Sequence, residues 1–326
     1  MSLPAPDPTA LPPTSTTLHP PLPEGTIDTH FHIFPDAPLA PLERRPFTPA
    51  PFPNSTATQF HASLGVSRSV LVHSMAFGPD LATLREYIGA NPDVVGVGAL
   101  TPSDGVEEIK RLDAAGVRGV RAVFGGDVDT RARALGIREL ARRLDDAGVA
   151  WSVLVQEWDS TIFDELLAIA DTLPPSQALV VDHLGYLQGP WSSYPSSPSP
   201  TITLSVPHLA PLPADTPGLQ ALLALLKSYN VYVKLSAPYR VTTKPETLEH
   251  LVKAYAATPD KLVWGTDWPY VPLAHDIARW KAEGKGEVPT GFRNEDLAQW
   301  VGLLREWLDD DTFTKAFATN AQKLYG

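Results

Sequence analysis

Eight short runs rich in β-branched and apolar residues recur along this chain, each followed by a longer stretch of helical character. That alternation restricts the fold more than any other feature. The runs are Gly25–Phe34, Ser67–Ser74, Val94–Leu100, Val117–Phe124, Ala150–Gln156, Ala178–Asp182, Val231–Ser236 and Leu262–Gly265. Repeated strand-then-helix units build a parallel sheet. Eight of them within about 240 residues fit a single-domain α/β fold, the closed (β/α)8 TIM barrel, better than an open doubly wound sheet. The helical spacing predicts helices over Asp80–Ala90, Gly105–Ala115, Ile137–Ala147, Ser160–Asp171, Leu219–Tyr229, Lys244–Ala257, Glu295–Leu308 and Asp311–Tyr325.

Two segments break the rhythm: Pro35–Thr58 after the first strand and Gly185–Pro217 after the sixth. Both leave strand C-terminal ends, the face on which barrel active sites are built, so both are candidate lids or pocket walls. The bland alternative for the second is a tolerated insertion. Residues 1–24 carry eight prolines and read as a disordered extension, leaving 25–326 for the barrel with its long loop insertion at about 185–217.

Several function classes fall away. A net charge of -11 would repel a nucleic-acid backbone or an anionic membrane, and no segment reaches the roughly 18 apolar residues of a membrane helix. No cysteine is present, which removes thiol nucleophiles and Cys-based metal sites. No Gly-rich phosphate fingerprint follows any strand. The expectation is a cytoplasmic protein acting on a small anionic molecule; the sequence says nothing of oligomeric state.

The strongest local signal is Asp28-Thr29-His30-Phe31-His32 at the end of the first strand. Alternation places Asp28, His30 and His32 on one side, and two such imidazoles can share a metal or face a substrate oxygen. His183, in Asp182-His183-Leu184-Gly185, ends the sixth strand ahead of a glycine that permits a sharp turn. Asp267, in Gly265-Thr266-Asp267-Trp268-Pro269, ends the eighth strand, which neighbours the first in a closed barrel. A carboxylate there can take a proton from water; its bland reading is a helix N-cap. Arg121 on the fourth strand and Arg240 after the seventh are candidate anchors for a substrate carboxylate, with surface salt bridges as the alternative. His73, Gln156, Lys234 and Trp268 are further pocket candidates, while His19, His61, His208, His250 and His275 read as solvated.

Taken in order, DTHFHIF, VRGVRAVF, VVDHLG, VKLSAPYR, LVWGTDWP and the terminal NAQKLYG resemble the amidohydrolase superfamily, in its amidohydrolase-related (amidohydrolase 2) branch that holds the 2-pyrone-4,6-dicarboxylate lactonases. The resemblance runs from about Gly25 to Gly326. It implies His30 and His32 as the first-strand pair, His183 as the histidine that polarises the scissile carbonyl, Asp267 as the base that activates water, and Arg121 and Arg240 as carboxylate anchors. The carboxylated lysine of two-metal branches would fall where this chain has Arg121, so the resemblance implies one zinc or other divalent ion, held by His30, His32, His183 and Asp267, or none. Gly125-Gly126-Asp127 and Gln156 stand where the lactonases carry a basic residue and a tyrosine, which points away from a dicarboxylate. The expected reaction is opening of a lactone by Asp-activated water. A zinc-dependent decarboxylase of an aromatic or muconate-type acid and a non-catalytic ligand-binding barrel are the alternatives.

Overall fold

The computed structural model describes residues 11–124, 128–157, 159–187, 216, 218–242 and 244–326. Eight parallel strands pair in chain order: β1 Ile27–Phe31, β2 Arg68–Val72, β3 Val94–Gly98, β4 Val117–Ala122, β5 Ser152–Val155, β6 Ala178–Val181, β7 Val231–Leu235 and β8 Leu262–Trp264. All eight expected runs are strands, each shorter than its apolar run. Helices lie between them: α1 Ser55–Leu64, α2 Ala82–Ala90, α3 Val106–Ala114, α4 Thr130–Asp146, α5 Ile162–Ile169, α6 Leu219–Ser228, α7 Pro245–Tyr255 and α8 Ala274–Ala282. They are followed by α9 Leu297–Trp307, α10 Asp310–Thr314 and α11 Asn320–Tyr325. Helix α1 lies partly in the segment expected to be irregular. Its Ser-Thr-Ala-Thr-Gln start carries little apolar signal, yet Ala57, Phe60, His61 and Leu64 supply a buried face.

β8 has only three residues, and it closes on β1 by individual contacts rather than by a ladder. Asp267 N donates to His30 O at 2.8 Å and His32 N to Trp268 O at 2.8 Å. Thr29 Oγ1 donates to Trp264 O at 2.7 Å. Gly265 permits the approach, because a Cβ there would stand 2.9 Å from both Cβ and N of His30. Asp28 completes the seam. Its Oδ1 accepts from the backbone N of His30 and Thr266, and its Oδ2 from Thr266 Oγ1 and from His61 Nε2 of α1.

This corrects the simple alternation read from the sequence. The β1–β2 register shifts between Asp28 and Phe31, and such an irregularity re-aims side chains along a strand. Asp28 therefore serves the seam while His30 and His32 share the site. It also corrects His61, which is 7% exposed and bonded to Asp28 rather than solvated.

Residues 11–24, expected to be disordered, lie against the barrel. Trp268 Nε1 donates to Pro13 O at 2.8 Å, Thr16 N to Ser63 Oγ at 3.0 Å, and Arg305 to the carbonyls of Pro20 and Pro21, while Leu18 and Leu22 pack on the core. Most of the expected lid, 188–215 and 217, lies outside the described residues, as do 125–127 and His208. Among the described residues no helix is long and apolar enough to cross a membrane.

Candidate active site

Strand ends bring His30, His32, His183 and Asp267 together at the C-terminal mouth of the barrel, none more than 6% exposed. Asp267 Oδ1 stands 3.6 Å from His30 Nε2, 3.8 Å from His32 Nε2 and 3.7 Å from His183 Nε2, and accepts no hydrogen bond. His30 Nε2 and His32 Nε2 are 3.3 Å apart. Each imidazole is aimed from its other nitrogen. His32 Nδ1 lies 2.7 Å from Val72 O, which only accepts, so Nδ1 carries the proton and Nε2 a lone pair. His183 Nδ1 meets Ser236 Oγ at 2.8 Å. His30 Nδ1 lies 3.2 Å from Asp182 Oδ1 and 3.1 Å from Lys234 Nζ.

The electrostatics keep these rings neutral. Burial lowers His32 to about 4 and drives His30 and His183 well below the ordinary imidazole value, with the Lys234 ammonium adding to the effect on His30. Burial pushes the Asp267 carboxyl up, but the attraction of its cationic surroundings, the Arg240 guanidinium foremost, outweighs it and holds the group well below the usual carboxylate range. Three imidazole nitrogens lie within 3.8 Å of one ionised carboxylate oxygen.

His30, His32 and Asp267 together fit a single divalent ion. Zn–N bonds of about 2.0–2.1 Å in a tetrahedron separate the donors by about 3.3–3.4 Å; the donors of His30, His32 and Asp267 lie 3.3 to 3.8 Å apart, while His183 stands 3.7 Å from Asp267 Oδ1 and groups with His30 and Asp182. The buried Asp267 Oδ1, without a hydrogen-bond donor, is the atom such an ion would satisfy.

The other expected residues separate. Arg121 reaches the mouth: Nη1 donates to His73 O at 2.8 Å, Nη2 donates to Gln156 Oε1, and the buried Nε has no partner. Gln156 Nε2 donates in turn to Tyr186 OH at 2.7 Å. Arg240 points its Nε at Asp267 Oδ2, 2.8 Å away. His73 turns its imidazole to Gly78 O at 2.7 Å and touches the site only through its carbonyl. The Trp268 indole stacks on Phe60 at 5.3 Å and bonds Pro13 O, which places it on the outer side of the β8 loop, away from the expected pocket wall.

Four residues escaped the sequence reading: Asp182, Tyr186, Ser236 and Tyr239. Asp182 was legible as the residue beside His183 at a strand end. It anchors Lys234, which is fully buried and also bonds Thr29 O. Tyr186 ends a run of four residues in the left-handed region, His183 (φ 47°), Leu184 (56°), Gly185 (77°) and Tyr186 (48°). This conformation is costly for non-glycine residues and concentrates at functional sites. It lays the Tyr186 ring edge-on to His183 at 5.1 Å.

The chain is similar to several known proteins. The family profile described as Amidohydrolase matches residues 27–326. Over 269 residues the chain is 27% identical to a 2-pyrone-4,6-dicarboxylate hydrolase of Comamonas testosteroni, covering 77% of this chain and 79% of that one. Over 261 residues it is 25% identical to a 4-sulfomuconolactone hydrolase of Hydrogenophaga intermedia, covering 76% of each. A crystal structure of an Agrobacterium tumefaciens protein superimposes with a TM-score of 0.70 at 21% identity, over 95% of this chain and 98% of that chain.

Proposed function

The chain belongs to the amidohydrolase family, and from that premise we propose that it hydrolyses a lactone of a small carboxylate-bearing substrate. Its relatives include a 2-pyrone-4,6-dicarboxylate hydrolase, 4-sulfomuconolactone hydrolases and a D-galactarolactone isomerase, and the carrying observation is the convergence of three imidazole nitrogens on the one unsatisfied oxygen of Asp267. His30, His32, His183 and Asp267 would hold one divalent ion, which when bound polarises a carbonyl and lowers the pKa of water.

The chain's own residues account for the remaining steps. Asp267 Oδ2 already accepts two hydrogen bonds, so the proton of the attacking water goes to Oδ1, on the lone pair that a bound ion would leave open. Water adds to the lactone carbonyl, whose oxygen is stabilised from the imidazole side of the cluster. As the ring C–O bond breaks, Asp267 returns the proton to the departing ring oxygen, giving one hydroxyl and one carboxylic acid. Arg121 Nε, buried and unpartnered, is the donor best placed to fix the substrate's anionic group and so the direction of attack.

The test is a panel of five- and six-membered lactones bearing no, one or two carboxylates, assayed in 18O-water with analysis of the products. Label in one carboxyl of an opened product, with preference for anionic lactones, supports the reading. Isomerisation without label, or release of carbon dioxide, would sink it.

A further inference from the structure

The carboxylate of Asp267 is held by one oxygen only. Oδ2 accepts two hydrogen bonds, from the Tyr239 hydroxyl at 2.6 Å and from Arg240 Nε at 2.8 Å, whereas Oδ1 accepts none. Guanidinium–carboxylate pairs are frequently bidentate and occupy both oxygens. Here the guanidinium comes in through Nε and shares its target with a phenol, which leaves Oδ1 to the imidazoles.

Both donors are consecutive residues of one 3-10 turn, Pro238–Arg240, entered through Ala237 in the left-handed region at φ 45°. The turn is braced by Arg240 N donating to Ala237 O at 2.9 Å. The Tyr239 ring has the Arg240 guanidinium 5.0 Å from its centroid and that of Arg293 at 5.2 Å. Asp267 is pinned at its backbone as well: φ is 61°, its N donates to His30 O at 2.8 Å and its O accepts from Tyr270 N at 3.0 Å. The remaining freedom lies in the two side-chain torsions, of which the terminal carboxylate one is broad for Asp. Two donors on one oxygen restrain both.

We propose that Tyr239 and Arg240 are positioning residues for Asp267, a two-donor clamp on Oδ2 that keeps Oδ1 turned to His30, His32 and His183. Arg240 then acts on Asp267 through its Nε, a positioning duty that its place in the sequence does not suggest. The inference rests on the reading of these four residues as one metal-competent hydrolytic site. Partners that orient a ligand of this kind commonly change metal affinity or activity by about 10–100-fold when removed.

The experiment compares wild type, Tyr239→Phe and Arg240→Met in three ways: zinc affinity by chelator competition, crystal structures, and kcat and KM on whichever lactone the wild type turns over. Tyr239→Phe deletes a single oxygen and keeps the test open if Arg240→Met fails to fold. The expected result is a zinc affinity about 10–100-fold weaker in each folded variant, with Asp267 rotated or in two rotamers, and a fall in kcat at a nearly constant KM. Unchanged zinc affinity with Asp267 unmoved overturns the clamp. So does a rise in KM alone, the signature of a lost substrate contact. If the wild type takes up no zinc, the metal reading fails by itself and the crystal structures decide: Oδ1 toward the imidazoles in wild type and displaced in the variants upholds the clamp, and the same orientation in all three overturns it.

Discussion

The two ends of this barrel are built on opposite principles. At the N-terminal end Ile27, Val70, Val97, Leu154, Val180, Tyr232 and Val263 form an apolar plug with Ala321 and Tyr325 of the C-terminal segment. The Tyr325 hydroxyl lies 3.2 Å from Ser152 Oγ. At the C-terminal end His30, His32, Asp182, His183, Lys234, Arg240 and Asp267 are all buried, and Asp267 Oδ1, Asp182 Oδ2 and Arg121 Nε lack hydrogen-bond partners. One end buries carbon and gains stability. The other buries charge, which costs stability unless every group is satisfied. In barrels of this kind the first arrangement belongs to folding and the second to chemistry.

The largest expected effect tests the chemical end. Asp267→Asn keeps an oxygen for Tyr239 and Arg240 but loses the proton acceptor, so turnover of the preferred lactone should fall by about 10³-fold, within the usual range for a positioned acid–base group. Steady-state kinetics and a thermal melt on the same preparation check it. Near-normal kcat would remove Asp267 from the mechanism, and an unfolded variant would blur the division between the two ends. Next, Tyr325→Ala at the plug should cost about 3–5 kcal/mol, the ordinary price of truncating a buried aromatic ring. Urea denaturation reads this. The folded fraction should keep wild-type kcat and KM, and a large kinetic defect would show that the plug reaches the site.

The two ends also differed in how far the sequence disclosed them. Strand runs announce themselves by β-branched residues, so all eight strands of the barrel were legible, and with them the placing of His30, His32, His183 and Asp267 at one mouth. What pairs with what was not. The register shift that turns Asp28 from the histidine face to the seam leaves no trace in composition. Arg240 looks like a free anchor until a carboxylate 27 positions away proves to lie 2.8 Å from it. Tyr186 gave no periodic signal, since a left-handed run is set by tertiary contacts rather than by its own residues. His61 read as solvated because its partner Asp28 is 33 positions distant.

A smaller effect probes the border between the ends. His73 is buried, its imidazole bonds Gly78 O, and burial lowers its pKa to about 4, the backbone bond opposing in part. Above pH 6.5 the ring is neutral in both folded and unfolded chains and contributes nothing. As pH falls from 6.5 toward 4, the unfolded chain takes up a proton that the native site refuses, so stability drops by about 1.4 kcal/mol per pH unit. Between pH 7 and 5 His73→Asn should therefore lose about 2 kcal/mol less stability than wild type does. Urea midpoints at the two pH values measure it. Equal losses would mean that the ring is hydrated in solution.

The smallest effect bears on where the chemical end stops. Trp268 follows Asp267 directly, and its position alone suggests a pocket wall, yet its indole is packed between Phe52 and Phe60 and donates to Pro13 O. Trp268→Phe keeps an aromatic ring and deletes that donor. The loss should be about 1 kcal/mol of stability, the net worth of one hydrogen bond, felt first as faster hydrogen exchange across residues 11–24. Because the indole faces the N-terminal segment rather than the imidazoles, kcat and KM should stay within about twofold, well under the 1.4 kcal/mol that a tenfold change in transition-state binding requires. A tenfold loss of kcat/KM with unchanged exchange at 11–24 would move Trp268 inside the site. The boundary between stabilising and reacting residues would then run through Pro13 rather than between Asp267 and its neighbour.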